Sequence, residues 1–456
     1  MTPLNRTLPT AALALFFAAN PALAQSPAAR VALNLAPRDT VAADTVAAQP
    51  HAAATVSVTA GTYGLPRYGM PEFELPKQPL DDFNGLQLQI GGAFAQTFQS
   101  LSHENSATPA PATALGEIRG GFNLASANLT LGARLARGIR VDLDSYMASR
   151  HHNEFWVKGG YATIDASPIN IPVLNKIMQY TTVRAGMYEP NYGDAHFRRS
   201  DNGNTIRNPF IENYILDAFT TEIGADVRVR VGNAFVMGGV TTGENKGDIR
   251  ESSIDATPAF LGKIGYDRRM SDALRFRLTG SAYTVSSTPG TTLYAGDRTG
   301  SRYWGVLEDT ATLRAGTAFT NGRINPGFTN EMTAVQVNPF VQLGSLELFG
   351  VLERATGKAA SETDRREVQQ LAGDVVYRLL SNRLYVGGRV NRVTGDYAKQ
   401  TDLTVTRKAL SAGWFITPNM LTKAELVRQD YDGFAATDIR SGARFQGLLI
   451  EGVIAF

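Results

Sequence analysis

The chain has 456 residues, no cysteine, 43% hydrophobic residues, and 44 Lys and Arg against 42 Asp and Glu. A net charge of +2 gives no electrostatic footprint for nucleic acid, so we expect no nucleic-acid partner. The lack of cysteine excludes a disulfide framework, a thiolate metal site and a cysteine nucleophile. A slightly negative mean hydropathy argues against a bundle of membrane helices, but strands that alternate apolar and polar residues would give the same value.

Residues 1–24 are predicted to be a secretory signal peptide. Arg6 is the only charge, an apolar stretch occupies 11–19, and Ala22 and Ala24 place small residues at the cleavage positions. An N-terminal membrane helix is the alternative, but the apolar stretch is too short to cross a bilayer. We therefore expect an exported mature chain that begins at Gln25.

Residues 25–81 form a second segment, rich in Ala, Pro, Val and Thr and without sustained periodicity. Several prolines lie near its end. This composition predicts a flexible or extended segment. We expect a periplasmic tail, and the alternative is a segment inserted into the folded domain formed by residues 82–456.

From Asp82 onward, apolar and polar residues alternate over long segments. In the clearest one, 218–231, Phe219, Ile223 and Val227 share one face, while Glu222 and Asp226 lie on the other. A period of two predicts strands with one apolar and one polar face. These segments reach the length of about 9–11 residues that a tilted strand needs to cross a membrane.

Sixteen such strands are predicted, at 86–98, 122–135, 138–149, 153–165, 180–188, 218–231, 234–243, 258–267, 272–285, 331–343, 346–356, 367–379, 383–395, 403–416, 419–430 and 443–456. Long connections largely alternate with tight turns such as 232–233, which is typical of outer-membrane barrels. We predict an all-β protein, a 16-stranded antiparallel transmembrane β-barrel over 82–456 with short periplasmic turns and long outer loops. A soluble sandwich is the alternative, but it gives no reason for loops sorted by length.

Aromatic residues support a position in the outer membrane, with its lipid as a partner. The last predicted strand ends in Phe456, which we interpret as the signal read by the barrel assembly machinery. The aromatic residues predicted to form interfacial girdles are Trp156, Tyr161, Phe276, Trp414 and Phe415.

A barrel of sixteen strands encloses an aqueous channel, so we predict passive diffusion of small hydrophilic solutes or ions. The connection 189–217 is dense in turn formers, charges and aromatics. In general porins, which this pattern resembles, the third outer loop folds into the barrel, and we expect the same here; a solvated loop is the alternative. The predicted constriction residues are Asp194, His196, Arg198, Arg199, Asp201 and Arg207, and the predicted aromatic anchors are Tyr192, Phe197, Phe210 and Tyr214.

The polar faces of the strands predict a pore wall of mixed charge. Its selected members are Arg134, Arg140, Arg228, Arg230, Arg275, Arg277, Glu222 and Asp226. Rings of one sign would set charge selectivity. The balance of signs instead predicts a transverse field with weak ion preference, and the alternative is that these residues pair across strands to stabilise the wall.

Four stretches, 191–204, 208–222, 346–353 and 413–425, resemble an outer-membrane family of porin-like proteins related to the phosphate-selective porins. The resemblance covers residues 82–456 and implies a 16-stranded barrel, a homotrimer and a Gram-negative outer membrane. The phosphate-selective members use an arginine ladder and lysine clusters. This chain has nine dispersed lysines, and its loop 189–217 carries a net charge of −2, so phosphate selectivity is not carried over.

Other functions remain as alternatives. An anchor or adhesin would use the long outer loops, above all 286–330. A hydrolase embedded in the barrel would need a nucleophile motif, and none accompanies the five histidines. A soluble secreted carbohydrate binder would extract without detergent. We expect no enzyme activity, no cofactor and no metal.

Overall fold

The computed structural model describes residues 57–60, 67–75, 77, 83, 85–108, 113–123, 125–148, 156–244, 252–297, 299–316, 321–398 and 400–456. The predicted signal peptide and residues 25–56 of the segment that follows it lie outside the described residues.

The alternating segments form strands, as their period predicts. The strands are β1 Ser57–Ala60, β2 Gln87–Glu104, β3 Gly121–Phe122, β4 Ser126–Ala136, β5 Ile139–Ala148, β6 Trp156–Ile164, β7 Thr181–Tyr188, β8 Glu222–Val231, β9 Ala234–Thr241, β10 Ala259–Arg269, β11 Leu274–Val285, β12 Glu331–Leu343, β13 Leu346–Lys358, β14 Arg366–Leu379, β15 Leu384–Tyr397, β16 Gln400–Thr417, β17 Met420–Asp432 and β18 Arg444–Ala455. Two short helices, α1 Pro172–Met178 and α2 Thr310–Ala315, lie in connections. Among the described residues, no helix is long and apolar enough to cross a membrane.

β2 and β4–β18 close into a barrel. Each of these strands pairs antiparallel with the next, and β18 pairs with β2 from Arg444 opposite Glu104 to Ala455 opposite Ala93. β1 and β3 are short additional partners of β2. The prediction of a 16-stranded antiparallel barrel is confirmed, and each predicted strand corresponds to one observed strand. Closure gives each of these sixteen described strands a hydrogen-bonded neighbour on both sides.

The alternation sorts side chains between the inside and the outside of the barrel. In β8, Glu222 and Asp226 are buried in the interior, whereas Ile223, Val227 and Val231 are exposed on the outer face. The other strands carry similar exposed apolar residues, so that the outer surface is a band suited to lipid chains. Phe219 is 2% exposed and precedes the strand, so it is not part of this outer face.

Two of the aromatic residues assigned to the girdles lie on the inner face instead. Tyr161 borders an internal cavity and lies beside the guanidinium of Arg184. Phe415 is 1% exposed and packs edge-on against Tyr68. The alternation of their strands assigns both rings to the interior, because Thr163 shares the parity of Tyr161 on β6, Arg407 shares that of Phe415 on β16, and both are buried.

Phe456 completes the barrel seam. Its amide donates a hydrogen bond to the carbonyl of Gly92 (2.9 Å), and its own carbonyl accepts one from the Gly92 amide (2.8 Å). The ring is about half exposed. Its role as an assembly signal stays a prediction.

Glycines with positive φ values allow the tight turns between neighbouring strands. Gly138, Gly232 and Gly344 have φ values of 70°, 59° and 56°. These left-handed conformations favour glycine and let two long strands reverse direction within two residues. The 166–179 connection is longer and contains α1.

Candidate functional site: the barrel interior

The third loop, 189–217, lies inside the barrel. Its backbone amides donate hydrogen bonds to inward side chains from strands around the wall: Gly203 to Asn128 Oδ1 of β4 (2.8 Å), Asp194 to Asn338 Oδ1 of β12 (2.8 Å), Leu216 to Gln370 Oε1 of β14 (2.9 Å) and Ile211 to Glu425 Oε2 of β17 (2.8 Å). Strands on distant parts of the wall thus contact one loop. The loop therefore crosses the lumen.

This arrangement satisfies polar groups that would otherwise be buried alone. An irregular segment has amides and carbonyls without ladder partners, and burial without hydrogen bonds is costly. Lys423 on β17 shows how loop carbonyls gain hydrogen-bond partners from the wall. Its ammonium donates to the carbonyls of Thr205 (3.0 Å) and Phe210 (3.1 Å), and it pairs with Glu451 Oε1 (2.8 Å).

The aromatic residues anchor the loop against one side of the wall. The Tyr192 hydroxyl donates to Glu353 (3.1 Å), and the Tyr214 hydroxyl donates to Asp374 (2.8 Å). Phe210 is fully buried, and the guanidinium of Arg389 lies 4.1 Å from its ring centre and 4.0 Å from that of Tyr214. Phe197, the fourth predicted anchor, is only partly buried and lies edge-on to Phe73.

The fifth loop, 286–330, also reaches the interior. Arg323 pairs with Glu212 of the third loop (2.6 Å) and with Asp297 (2.7 Å). The Tyr303 hydroxyl donates to Glu425 on β17 (2.6 Å). Leu293, Val306 and Phe328 join an apolar cluster with inward residues of the wall. The two loops therefore form one packed unit with the β10–β18 side of the barrel.

A cavity of about 580 Å³ remains between the third loop and the β4–β9 side of the wall. The charged residues that line it from the wall are Arg140, Asp142, Asp144, Lys158, Arg184, Asp226 and Arg228, together with Asp165 just after β6. From the third loop, Glu189, His196, Arg199, Asp201 and Arg207 complete the lining. Both signs are present on both sides, so the cavity is suited to solutes that must keep polar surroundings.

The six predicted constriction residues divide between two faces of the loop. His196, Arg199, Asp201 and Arg207 line the cavity. Asp194 instead accepts from Nε of Arg277 (2.8 Å), and Arg198 pairs with Glu347 on β13 (3.4 Å). All six lie inside the barrel, but only four border its open space. Their role in selecting solutes stays a prediction.

The eight predicted wall residues divide in the same way. Arg140, Arg228 and Asp226 line the cavity. The other five contact protein groups: Arg134 donates to Gln87 (3.0 Å), Arg230 lies 5.0 Å from the Phe235 ring centre, Arg275 pairs with Asp267 (2.7 Å), Arg277 pairs with Asp194, and Glu222 accepts from Tyr283 (2.9 Å). Cross-strand pairing, the alternative considered from the sequence, describes several of them.

The sequence interpretation did not assign Lys158, Glu189 or Asp165 to the pore lining, although all three border the cavity. Lys158 pairs with Asp201 of the third loop and lies 3.9 Å from Asp144. Lys158 lies where the register between β5 and β6 shifts, so the alternation of β6 did not indicate its inward position.

A short segment near the N-terminus also enters the lumen. We call residues 67–75 and 77 the strap. Arg378 donates to the carbonyls of Tyr68 and Gly69 (2.9 Å each), and Arg275 donates to that of Pro71 (3.1 Å). Phe73, Glu74 and Leu75 form part of the cavity wall. The strap thus takes the inserted position that was the alternative for the end of segment 25–81.

The loop carboxylates are held in their charged form. Burial by itself would raise the pKa of Glu212, but the charges of Arg323 and Arg407 outweigh it and lower that pKa below its ordinary 4.5. The pKa of Asp297 is likewise lowered against the effect of burial, by Arg323 and Arg199. Within the described part of the chain, no three His, Asp or Glu side chains are grouped to hold a metal ion.

Comparison with known proteins adds evidence on the fold. No family model matches the sequence, and no curated protein matches it. The structure is similar to the anion-selective porin from Comamonas acidovorans, with a TM-score of 0.53 and 10% identity over 81% of this chain and 100% of that one. Two further matches are OmpT of Vibrio cholerae in a trimer form (TM-score 0.49, 9% identity, 81% and 99% covered) and the channel DcaP of Acinetobacter baumannii (0.48, 11%, 82% and 98%). We draw nothing from these two, whose TM-scores lie below 0.5; the first match shows that this chain shares the barrel fold of a porin.

Proposed function

We propose that this protein is an outer-membrane porin, a passive channel for small hydrophilic solutes or ions. One observation carries the proposal: a closed barrel, apolar outside, keeps a charged cavity of about 580 Å³ along one side of its interior. An apolar outer band suits lipid, and a polar lining replaces part of the hydration of a solute that passes.

The proposal includes a constriction between the third loop and the β4–β8 wall. Arg199, Asp201 and Arg207 line the cavity from the loop, and Arg140, Asp142 and Asp226 line it from the wall. Charges of both signs on both sides favour weak ion preference over strong anion selectivity. We further propose export through a cleaved signal peptide, assembly as a homotrimer in a Gram-negative outer membrane, and membership of the porin-like family named above. The likeness to an anion-selective porin supports the barrel, and its selectivity is not transferred.

The adhesin alternative requires outer loops that are free to bind. The described part of the fifth loop instead directs Tyr294, Tyr303 and Arg323 to partners inside the barrel. This observation favours transport over adhesion. The proposal contains no catalytic step.

Reconstitution of the purified protein in a planar bilayer tests the proposal. We expect discrete conductance steps with a weak preference between K⁺ and Cl⁻, and swelling of liposomes in small sugars but not in large ones. A correctly folded barrel, verified by its heat-dependent migration, that gives no conductance would contradict the channel function and favour the anchor.

A further inference from the structure

We propose that the strap is an internal ligand: its Glu74 occupies a cationic site in the barrel that takes the carboxylate of a small solute when the strap leaves. The proposal rests on the proposed channel only for the route by which a solute arrives. Among the described residues of the strap, Glu74 alone forms ion pairs with two fully buried cations. Lys263 Nζ lies 3.0 Å from Glu74 Oε1, and Arg277 Nη2 lies 2.7 Å from Oε2.

The site is built by the wall and the third loop, not by the strap. Lys263 comes from β10 and Arg277 from β11, and both are completely inaccessible to solvent. Asp194 of the third loop holds them in place, since its carboxylate lies 2.8 Å from Lys263 Nζ and from Arg277 Nε. Asn191 donates a further hydrogen bond to Glu74 Oε1 (3.2 Å). One carboxylate thus receives two cations and one amide.

Charge balance shows that the site needs an anion. Among the described residues, Arg230, Lys263, Arg275 and Arg277 form ion pairs with three carboxylates, those of Glu74, Asp194 and Asp267. Without Glu74, four cations face two carboxylates. Buried cations that lose their partner carry a large free-energy cost. A vacant site would therefore bind a carboxylate from solution.

The strap is suited to being exchanged. It contributes no strand to the barrel. Arginine side chains hold it through backbone carbonyls, and the buried ring of Phe73 packs edge-on against Phe197 and Phe340. Glu72 and Leu75 on either side of Glu74 are exposed. Phe73, Glu74 and Leu75 border the same cavity as Arg228 and Asn191, so a solute in the cavity reaches the site directly. A glutamate side chain beyond its Cα is a propionate, which defines the ligand class as small carboxylates.

Calorimetric titration of the full-length, detergent-solubilised protein with propionate tests the site. Glu74→Gln removes the internal competitor, so we expect it to bind propionate at least tenfold more tightly than the unmodified protein. The matched control is Glu72→Gln, which changes the same charge on an exposed strap residue and should behave as the unmodified protein. Adding Lys263→Met to Glu74→Gln should abolish the gain. Equal affinity in Glu74→Gln and Glu72→Gln would overturn the proposal and make the strap a fixed part of the core.

A second measurement follows the strap itself and does not depend on a variant of the site. The chain has no cysteine, so Glu72→Cys gives a single position for a nitroxide label. We expect propionate to increase the mobility of this label, while propionamide and equal concentrations of chloride leave it unchanged. An immobile label at propionate concentrations that saturate Glu74→Gln would contradict exchange. Neither measurement requires conduction: propionate binding without conductance would refute only the channel, and conductance without propionate binding would refute only the site.

Discussion

The two sides of the barrel interior use the same alternation of residues for opposite purposes. Along β10–β18, inward polar groups such as Asp374, Glu425 and Asn391 accept hydrogen bonds from the third and fifth loops. Along β4–β8, groups such as Arg140 and Asp226 face a cavity. A polar inner face therefore does not by itself indicate a water-filled pore. It becomes pore lining only where no loop occupies it.

The largest expected effect comes from a substitution that loosens the third and fifth loops on the β10–β18 side of the interior. Glu212 joins the two loops through Arg323, whose Nη2 lies 2.6 Å from its Oε1, and the carboxylate also accepts from Ser301 Oγ (2.9 Å). Glu212→Gln leaves a buried cation with one partner fewer, and such changes cost about 3–5 kcal/mol. We expect lower resistance to urea and a higher single-channel conductance, because the loops no longer fill their side.

The control for that prediction is an ion pair at the barrel rim. Glu362 pairs with Arg366 four residues later, and both side chains are partly solvated. Glu362→Gln should cost about 0.3–0.5 kcal/mol and leave the conductance unchanged. Equal effects of the two substitutions would show that the loops are not held by the buried cluster.

A smaller effect is expected from two neighbouring arginines that face opposite sides. Arg199 lines the cavity, while Arg198 pairs with Glu347 on the filled side. A unit charge about 6 Å from an ion in water-like surroundings changes its energy by about 0.7 kcal/mol, or about threefold in permeability. Arg199→Gln should therefore shift the reversal potential in a KCl gradient toward cation preference. Arg198→Gln should not, and a shift of the same size in both variants would contradict the division of the interior.

The smallest effect is expected from moderate acid. Glu212 and Asp297 have pKa values below their ordinary 4.5 and 3.8, so their contribution to loop docking is complete above those values. It is lost only as the pH falls through the lowered pKa values. Hydrogen exchange, corrected for its intrinsic pH dependence, should show equal protection of the Ile211 and Leu216 amides at pH 7.5 and 5.5. Loss of protection already at pH 5.5 would mean that other groups hold the loop.

Much of the fold was predictable from the sequence because each long strand carries its own evidence. The period of two assigned Glu222 and Asp226 inward and Ile223 and Val227 outward, and glycine turns such as that at Gly232 fixed the short connections. The limits of this evidence lie at strand ends. Phe219 continues the alternation in the sequence, yet it precedes β8 and packs under the guanidinium of Arg199, 3.8 Å from its ring centre.

The site was predictable only in part, because the contacts between a loop and the barrel wall follow no regular spacing in the sequence. The composition of 189–217 indicated a loop that enters the lumen, and its aromatic residues indicated how it is anchored. Nothing local distinguished Arg198 from Arg199, since their partners lie 149 and 18 residues away in the chain. The same holds for Glu74, whose partner Arg277 is 203 residues away.

The sequence alone thus determined a barrel of sixteen long strands, its inner and outer faces and the order of its loops, because each of these follows from neighbouring residues and backbone geometry. The tertiary structure alone decided which inward charges are open to solutes. That choice depends on the positions of two loops and the strap, which are held by ion pairs and hydrogen bonds between residues far apart in the chain, such as Glu74 and Arg277, 203 residues apart.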